Sequence, residues 1–228
     1  MFVGHIGAGL FVKRLEPRLN LGALLFAALF ADLLLWTLVI FGIESLGAPE
    51  TTGSARFFTF VFPYSHGFAA SVIWSGLAGA TGWFLLAPRA SRRSRLAWAL
   101  SLAVFSHFML DLIVHVPDLP IFGQSSPKLG LGLWRHMPIA LAIELALSAV
   151  ALVLYLNFTQ LSRAKAFLVG GAVVMAAALT AVGPYLPGAP PPPSVLALSS
   201  LLTLFVIVLL GFVAEGSYRI MAGHQIAV

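Results

Sequence analysis

Apolar residues in this chain do not alternate with polar ones; they come in long blocks. Six blocks stand out, at about 19–43, 66–87, 96–116, 133–157, 165–184 and 194–220. Each is long enough to cross a hydrocarbon core of ~30 Å, which takes roughly 20 helical residues. Only helices satisfy their own backbone groups within such a segment, so the pattern predicts an all-α, polytopic integral membrane bundle of about six transmembrane helices. The polar stretches between blocks are short, which leaves one domain, 1–228, and no separate soluble unit.

Two further apolar stretches fall outside the six. Residues 2–12 rise only ~18 Å as a helix and cannot span. They are expected to lie in the interface, or to dip inward as a short N-terminal half-helix that carries His5 into the membrane. This stretch lacks a preceding basic region and a small-residue cleavage site, so it does not read as a removable signal peptide. The Phe-rich run "RFFTFVFPY", 56–64, reads as a membrane-surface anchor or as a lining for an acyl chain. "PGAPPPP", 187–193, reads as a stiff polyproline-type loop.

Composition agrees with the blocks: 60% of residues are hydrophobic and 9% charged, with a mean hydropathy of +0.98. The net charge of +5 would point to nucleic acid in a soluble protein. Here the basic residues sit in short loops, and topology accounts for them. Lys13, Arg14 and Arg18 precede the first span; Arg89, Arg92, Arg93 and Arg95 separate the second and third; Arg163 and Lys165 separate the fourth and fifth. The positive-inside rule then puts both termini in the cytoplasm, as six spans require, across what is expected to be a bacterial or archaeal inner membrane. The absence of cysteine excludes disulfides and thiolate metal sites.

Of eight acidic residues, Asp32, Asp111 and Glu144 fall inside apolar spans. A carboxylate there is costly unless paired, protonated or bound to an ion, so each is a candidate functional residue. The bland alternative is a structural inter-helix hydrogen bond. Counted from the basic loops at ~1.5 Å per residue, Asp32, His107 and Glu144 all reach a level ~18–20 Å up their spans. In "SHFMLDLIVH", His107, Asp111 and His115 share one helical face. His66 and His136 open the second and fourth spans, and the inferred object is a polar pocket opening to the non-cytoplasmic side.

Imidazole and carboxylate suit zinc first, with manganese or iron as alternatives. His107, Asp111 and Asp32 form the expected ligand set, with His5 if its segment dips. Glu144 is the candidate proton acceptor and His66 a second ligand or acid. His115, ~12 Å along its helix from His107, cannot easily share that ion, which leaves room for a second. His115 and His136 are additional candidates at the mouth. Ser65 reads as the N-cap of the second span, Asp118 as a solvated loop residue, and His224 as part of a polar tail.

The stretches "GHIGAGLF", "LFADLLLW", "PYSHGFAAS" and "FSHFMLDLIVH" resemble the YdjM-like family of membrane-bound metal-dependent hydrolases over residues 4–116. That resemblance implies a multi-span helical protein with a His/Asp metal site at His5, Asp32, His66, His107 and Asp111. The chain departs from the family in its lone span-one Asp and in the single His of "PYSHG". Three functions follow as expectations. The first is a membrane-embedded hydrolase of an ester or phosphoester, in a lipid-like or small substrate. The second is a proton or metal-ion transporter relaying through Asp32, Asp111 and Glu144. The third is a non-catalytic membrane subunit holding a structural ion. Membrane lipid is the expected surrounding partner; oligomeric state is left open.

Overall fold

In the computed structural model, which describes residues 2–86 and 93–215, eight α-helices make up the body of the protein. They are α1 (Phe2–Leu15), α2 (Leu21–Ala28), α3 (Phe30–Ile40), α4 (Phe68–Thr81), α5 (Arg93–Val114), α6 (Met137–Phe158), α7 (Arg163–Val182) and α8 (Pro193–Glu215). Five helical segments are long and apolar enough to cross a membrane, or six if α2 and α3 form one span. Arg89, Arg92 and His224 lie outside the described residues.

The first span is not a straight helix. It bends by 56° at Leu29, so α2 and α3 are separate helices. The apolar pattern alone gives no sign of this, since a break leaves hydropathy unchanged. The bend has a use: Asp32 falls in the first turn of α3, where the positive end of the helix favours a carboxylate.

The N-terminal stretch takes the inward option. α1 lies inside the bundle, with Val3, His5, Ile6 and Leu10 all 2% exposed or less. Such burial needs a small face, and Gly7 supplies it; a Cβ there would come 2.8 Å from Leu147 and 3.1 Å from the backbone of Ser148 on α6. Both ends of α1 are tied down. At the start, the Ser148 hydroxyl sits 2.7 Å from the Val3 carbonyl, and the Gly4 N–H donates to Glu144. At the far end Lys13 is buried and bonds to Glu215 of α8 at 2.6 Å, while Tyr155 donates to the same carboxylate. Lys13 is therefore an internal ion-pair residue, not the solvated loop charge that topology alone assigns it.

An all-helical chain was expected, yet two small hairpins cap one end. β1 (Ser45–Thr52) pairs antiparallel with β2 (Ala55–Val61), and β3 (Leu119–Pro120) with β4 (Lys128–Leu129). The first turns at Gly53, whose φ of +61° suits glycine. The Phe-rich run is thus a strand: Phe57 packs on Val116, Met137 and Leu141 beneath it. Arg56 reaches from β2 to the carbonyls of Leu186 and Gly188, clasping the hairpin to the proline-rich loop.

α2 and α8 cross at glycines from both sides, for a Cβ on Gly211 would meet the Gly22 backbone at 2.9 Å. Gly211→Leu is expected to cost about 1–3 kcal/mol through overpacking. The check is the melting temperature of the detergent-purified variant, which should fall while helical content is retained.

Candidate metal centre

Four elements deliver the polar side chains of the centre. α1 brings His5, the first turn of α3 brings Asp32, and the turn before α4 brings His66. α5 brings His107, Asp111 and, just past its end, His115. Three features of the backbone make this convergence: the buried α1, the bend at Leu29, and the helical i, i+4 spacing on α5.

The distances describe one compact cluster. His66 Nε2 and His107 Nε2 face each other at 3.1 Å. Asp32 Oδ1 lies 3.6 Å from the first and 3.7 Å from the second. Asp111 Oδ2 lies 3.5 Å from His66 Nε2 and 3.3 Å from His107 Nε2. His5 stacks on His107 with ring centroids 3.5 Å apart, and its Nε2 is 3.2 Å from Asp111 Oδ1. One donor atom each from His5, Asp32 and His107 lie within 4.8 Å of one another, as do those from His66, His107 and Asp111. The imidazoles and Asp111 are almost fully buried, and only Asp32 keeps some exposure, at 20%.

Outer partners fix which ring nitrogens point inward. His107 Nδ1 is 2.8 Å from the Ala28 carbonyl, at the end of α2 where the bend falls. Carbonyls at a helix end lack their usual donors, and an imidazole N–H supplies one here. His66 Nδ1 is 2.8 Å from Ser65 Oγ, and the Ser65 hydroxyl donates to Glu44 at 2.6 Å. With its one proton given to Glu44, Ser65 accepts from His66. Both Nε2 atoms therefore turn lone pairs toward each other at 3.1 Å, an arrangement that calls for a proton or a cation between them. The carboxylate or carbonyl behind each ring is the usual second layer of a metal site.

His115 is also oriented this way. Its Nδ1 is 3.0 Å from Asp118 Oδ1, its Nε2 is 3.8 Å from Asp111 Oδ1, and its ring lies on Trp134. It belongs to the buried cluster rather than to the mouth. Asp118 is likewise buried, accepting from the Phe60 N–H as well, so its reading as a solvated loop residue is corrected. Ser65 is not the N-cap of α4; Gly67 is, and Ser65 serves His66 instead. His136 stays exposed in the turn before α6 and is not among the cluster's contacts, so it is set aside as a ligand. Glu44 escaped sequence reasoning because it follows the first span in what reads as loop. It is buried and accepts from Tyr64 and Ser65 N–H as well as from the Ser65 hydroxyl.

The cluster forms one wall of a cavity of about 580 Å³, within the size range of small-molecule sites. Asp32, His66, Asp111, His115 and Glu144 supply its polar side. Glu144 is 2% exposed, and its Oε2 has no hydrogen-bond partner. The remaining wall is mainly apolar, including Trp36, Phe60, Phe62, Leu179, Leu196 and Leu204.

No protein-family model, curated protein or solved structure matches this chain. The case for the site thus rests on its own geometry, and its outer layer is open to test. Ser65→Ala removes the group that orients His66 but leaves two backbone donors on Glu44. Divalent-metal affinity, measured by titration of the chelator-stripped protein, should fall about 10–100-fold.

Proposed function

We propose that this protein is a membrane-embedded, divalent-metal-dependent hydrolase acting on an ester or phosphoester bond of a lipid-like substrate. One observation carries the reading: two imidazole Nε2 atoms 3.1 Å apart, flanked by two carboxylates, on the wall of a largely apolar cavity. The donor set of His66, His107, Asp32 and Asp111 fits a divalent cation, zinc first and manganese or iron next. Bound there, such an ion supplies a Lewis acid and water of lowered pKa.

The chain's own residues then have distinct tasks. Of the two roles open to His66, ligand or acid, the ligand role is favoured, because its Nδ1 is engaged by Ser65 and its Nε2 faces His107. Glu144 keeps the role of proton acceptor, with a free oxygen in a cavity shared with Asp32 and Asp111. Trp36, Phe60, Phe62 and Leu204 hold the apolar part of the substrate and exclude water from the bond to be cut. With the basic loops in the cytoplasm, the cavity lies toward the outer side of an inner membrane.

A transport reading is weaker on one observation. Ile6 and Leu10 of α1 pack with Leu21, Leu25, Val173 and Ile207 into a continuous apolar layer beyond His5, toward the Lys13 end. An ion relay would have to cross that layer.

Purified protein, kept from chelators, should carry a divalent metal by elemental analysis, and Asp32→Asn or His107→Ala should lose it. A metal-free native protein overturns the hydrolase reading; bound metal without turnover of phospholipid or acyl-ester substrates turns it toward a structural ion. Leu196→Trp, which narrows the cavity without touching the cluster, should slow a long-chain ester at least tenfold more than a short-chain one. Turnover of a paired ester series in mixed micelles measures that ratio.

A further inference from the structure

We infer that the centre holds two divalent cations, bridged by Asp111, and that His115 is a ligand of the second. The inference rests on the metal-dependent reading above and sharpens it.

Asp111 is the pivot. Its Oδ2 faces His66 Nε2 and His107 Nε2 at 3.5 and 3.3 Å. Its Oδ1 faces a different pair, His5 Nε2 at 3.2 Å and His115 Nε2 at 3.8 Å. Each oxygen of one carboxylate therefore has its own two imidazole nitrogens, the disposition of a bridging carboxylate. Asp32 completes the first group. Glu144, on the same cavity wall, keeps its unpartnered Oε2 for the proton-accepting role. His5, also close to Asp32 and His107, sits between the groups.

The second layer supports the same division. His115 Nδ1 is held by Asp118, as His107 is held by the Ala28 carbonyl and His66 by Ser65 and Glu44. An imidazole whose Nδ1–H is anchored on a carboxylate and whose Nε2 faces another carboxylate is built as a ligand.

Charge gives an independent count. Asp32, Glu44, Asp111, Asp118 and Glu144, five of the chain's eight acidic residues, are gathered into this one region. Lys13 goes to Glu215, Arg95 to Glu16 and Arg56 to backbone carbonyls, while Lys128 interacts, among these acids, with Asp118. A second divalent cation answers more of this carboxylate cluster than one alone. The N-terminal end of α1, whose Gly4 N–H donates to Glu144, adds a partial positive charge there. Unbalanced charge at such depth is strongly disfavoured, which favours the pair of ions. Two adjacent ions also suit phosphoester cleavage, where attacking and leaving oxygens are stabilised together.

The test uses the full chain in detergent, stripped with chelator and titrated with Mn²⁺ alone. Two equivalents per chain, with the exchange-coupled paramagnetic resonance spectrum of bridged Mn²⁺ ions, are expected. His115→Ala should reduce this to one equivalent and an uncoupled six-line spectrum. Asp118→Asn, the gentler change, should weaken the second equivalent alone by at least tenfold. A single equivalent in the native chain, or two uncoupled ones, overturns the paired centre while leaving the hydrolase reading intact. No bound Mn²⁺, with native helical content and no binding of Zn²⁺, overturns both.

Discussion

Everything polar in this protein is governed by the cost of leaving an ionisable group without company in an apolar interior. Four imidazoles and several carboxylates are withdrawn from water, and each is answered by another group of the set or by a backbone atom. That requirement explains features that otherwise look unrelated. The bend at Leu29 sets the Ala28 carbonyl against His107 and turns a helix start toward Asp32. The two hairpins hold Phe60, whose N–H serves Asp118, above His115. α1 is buried along its length so that His5 can reach Asp111.

Much of this was legible in the sequence, and the reason is the rarity of charge in apolar spans. Asp32, His107 and Glu144 were assigned to one level from helical rise alone; the fold sets Asp32 3.7 Å from His107 and Glu144 on the same cavity wall. The dipping of residues 2–12 was one of two options, and Gly7 against Ser148 is what decides it. What could not be read were partners distant in the chain and indifferent to hydropathy. Glu44 and Asp118 look like loop residues because nothing in a linear sequence shows that a hairpin folds over them. Lys13 looks like a topological charge because its partner, Glu215, is some 200 positions away. The bend at Leu29 left no mark, since leucine is as apolar in a broken helix as in a straight one.

The site also shows a division of labour between elements. α5 alone supplies His107, Asp111 and His115 at regular spacing, so it sets the axis of the cluster. The other elements bring one group each and differ in stiffness: a helix start for Asp32, a hydrogen-bonded turn for His66, an inserted helix for His5. α7 and α8 then complete the cavity with leucines and the hydroxyls of Thr180, Ser199, Ser200 and Thr203, and bring no ionisable group to it.

The insertion of α1 has a consequence for how the protein comes into being. α1 is made first, yet its main contacts are with α6, and its far end is fastened by Glu215 on the last helix. His5 gains Asp111 and His107 only with α5, and Lys13, held early by the Pro17 and Leu19 carbonyls, gains Glu215 only with α8. Contacts of such sequence separation form late and slowly. The fastening of α1 is thus completed only once α8 is in place, after every residue of the cluster has been made.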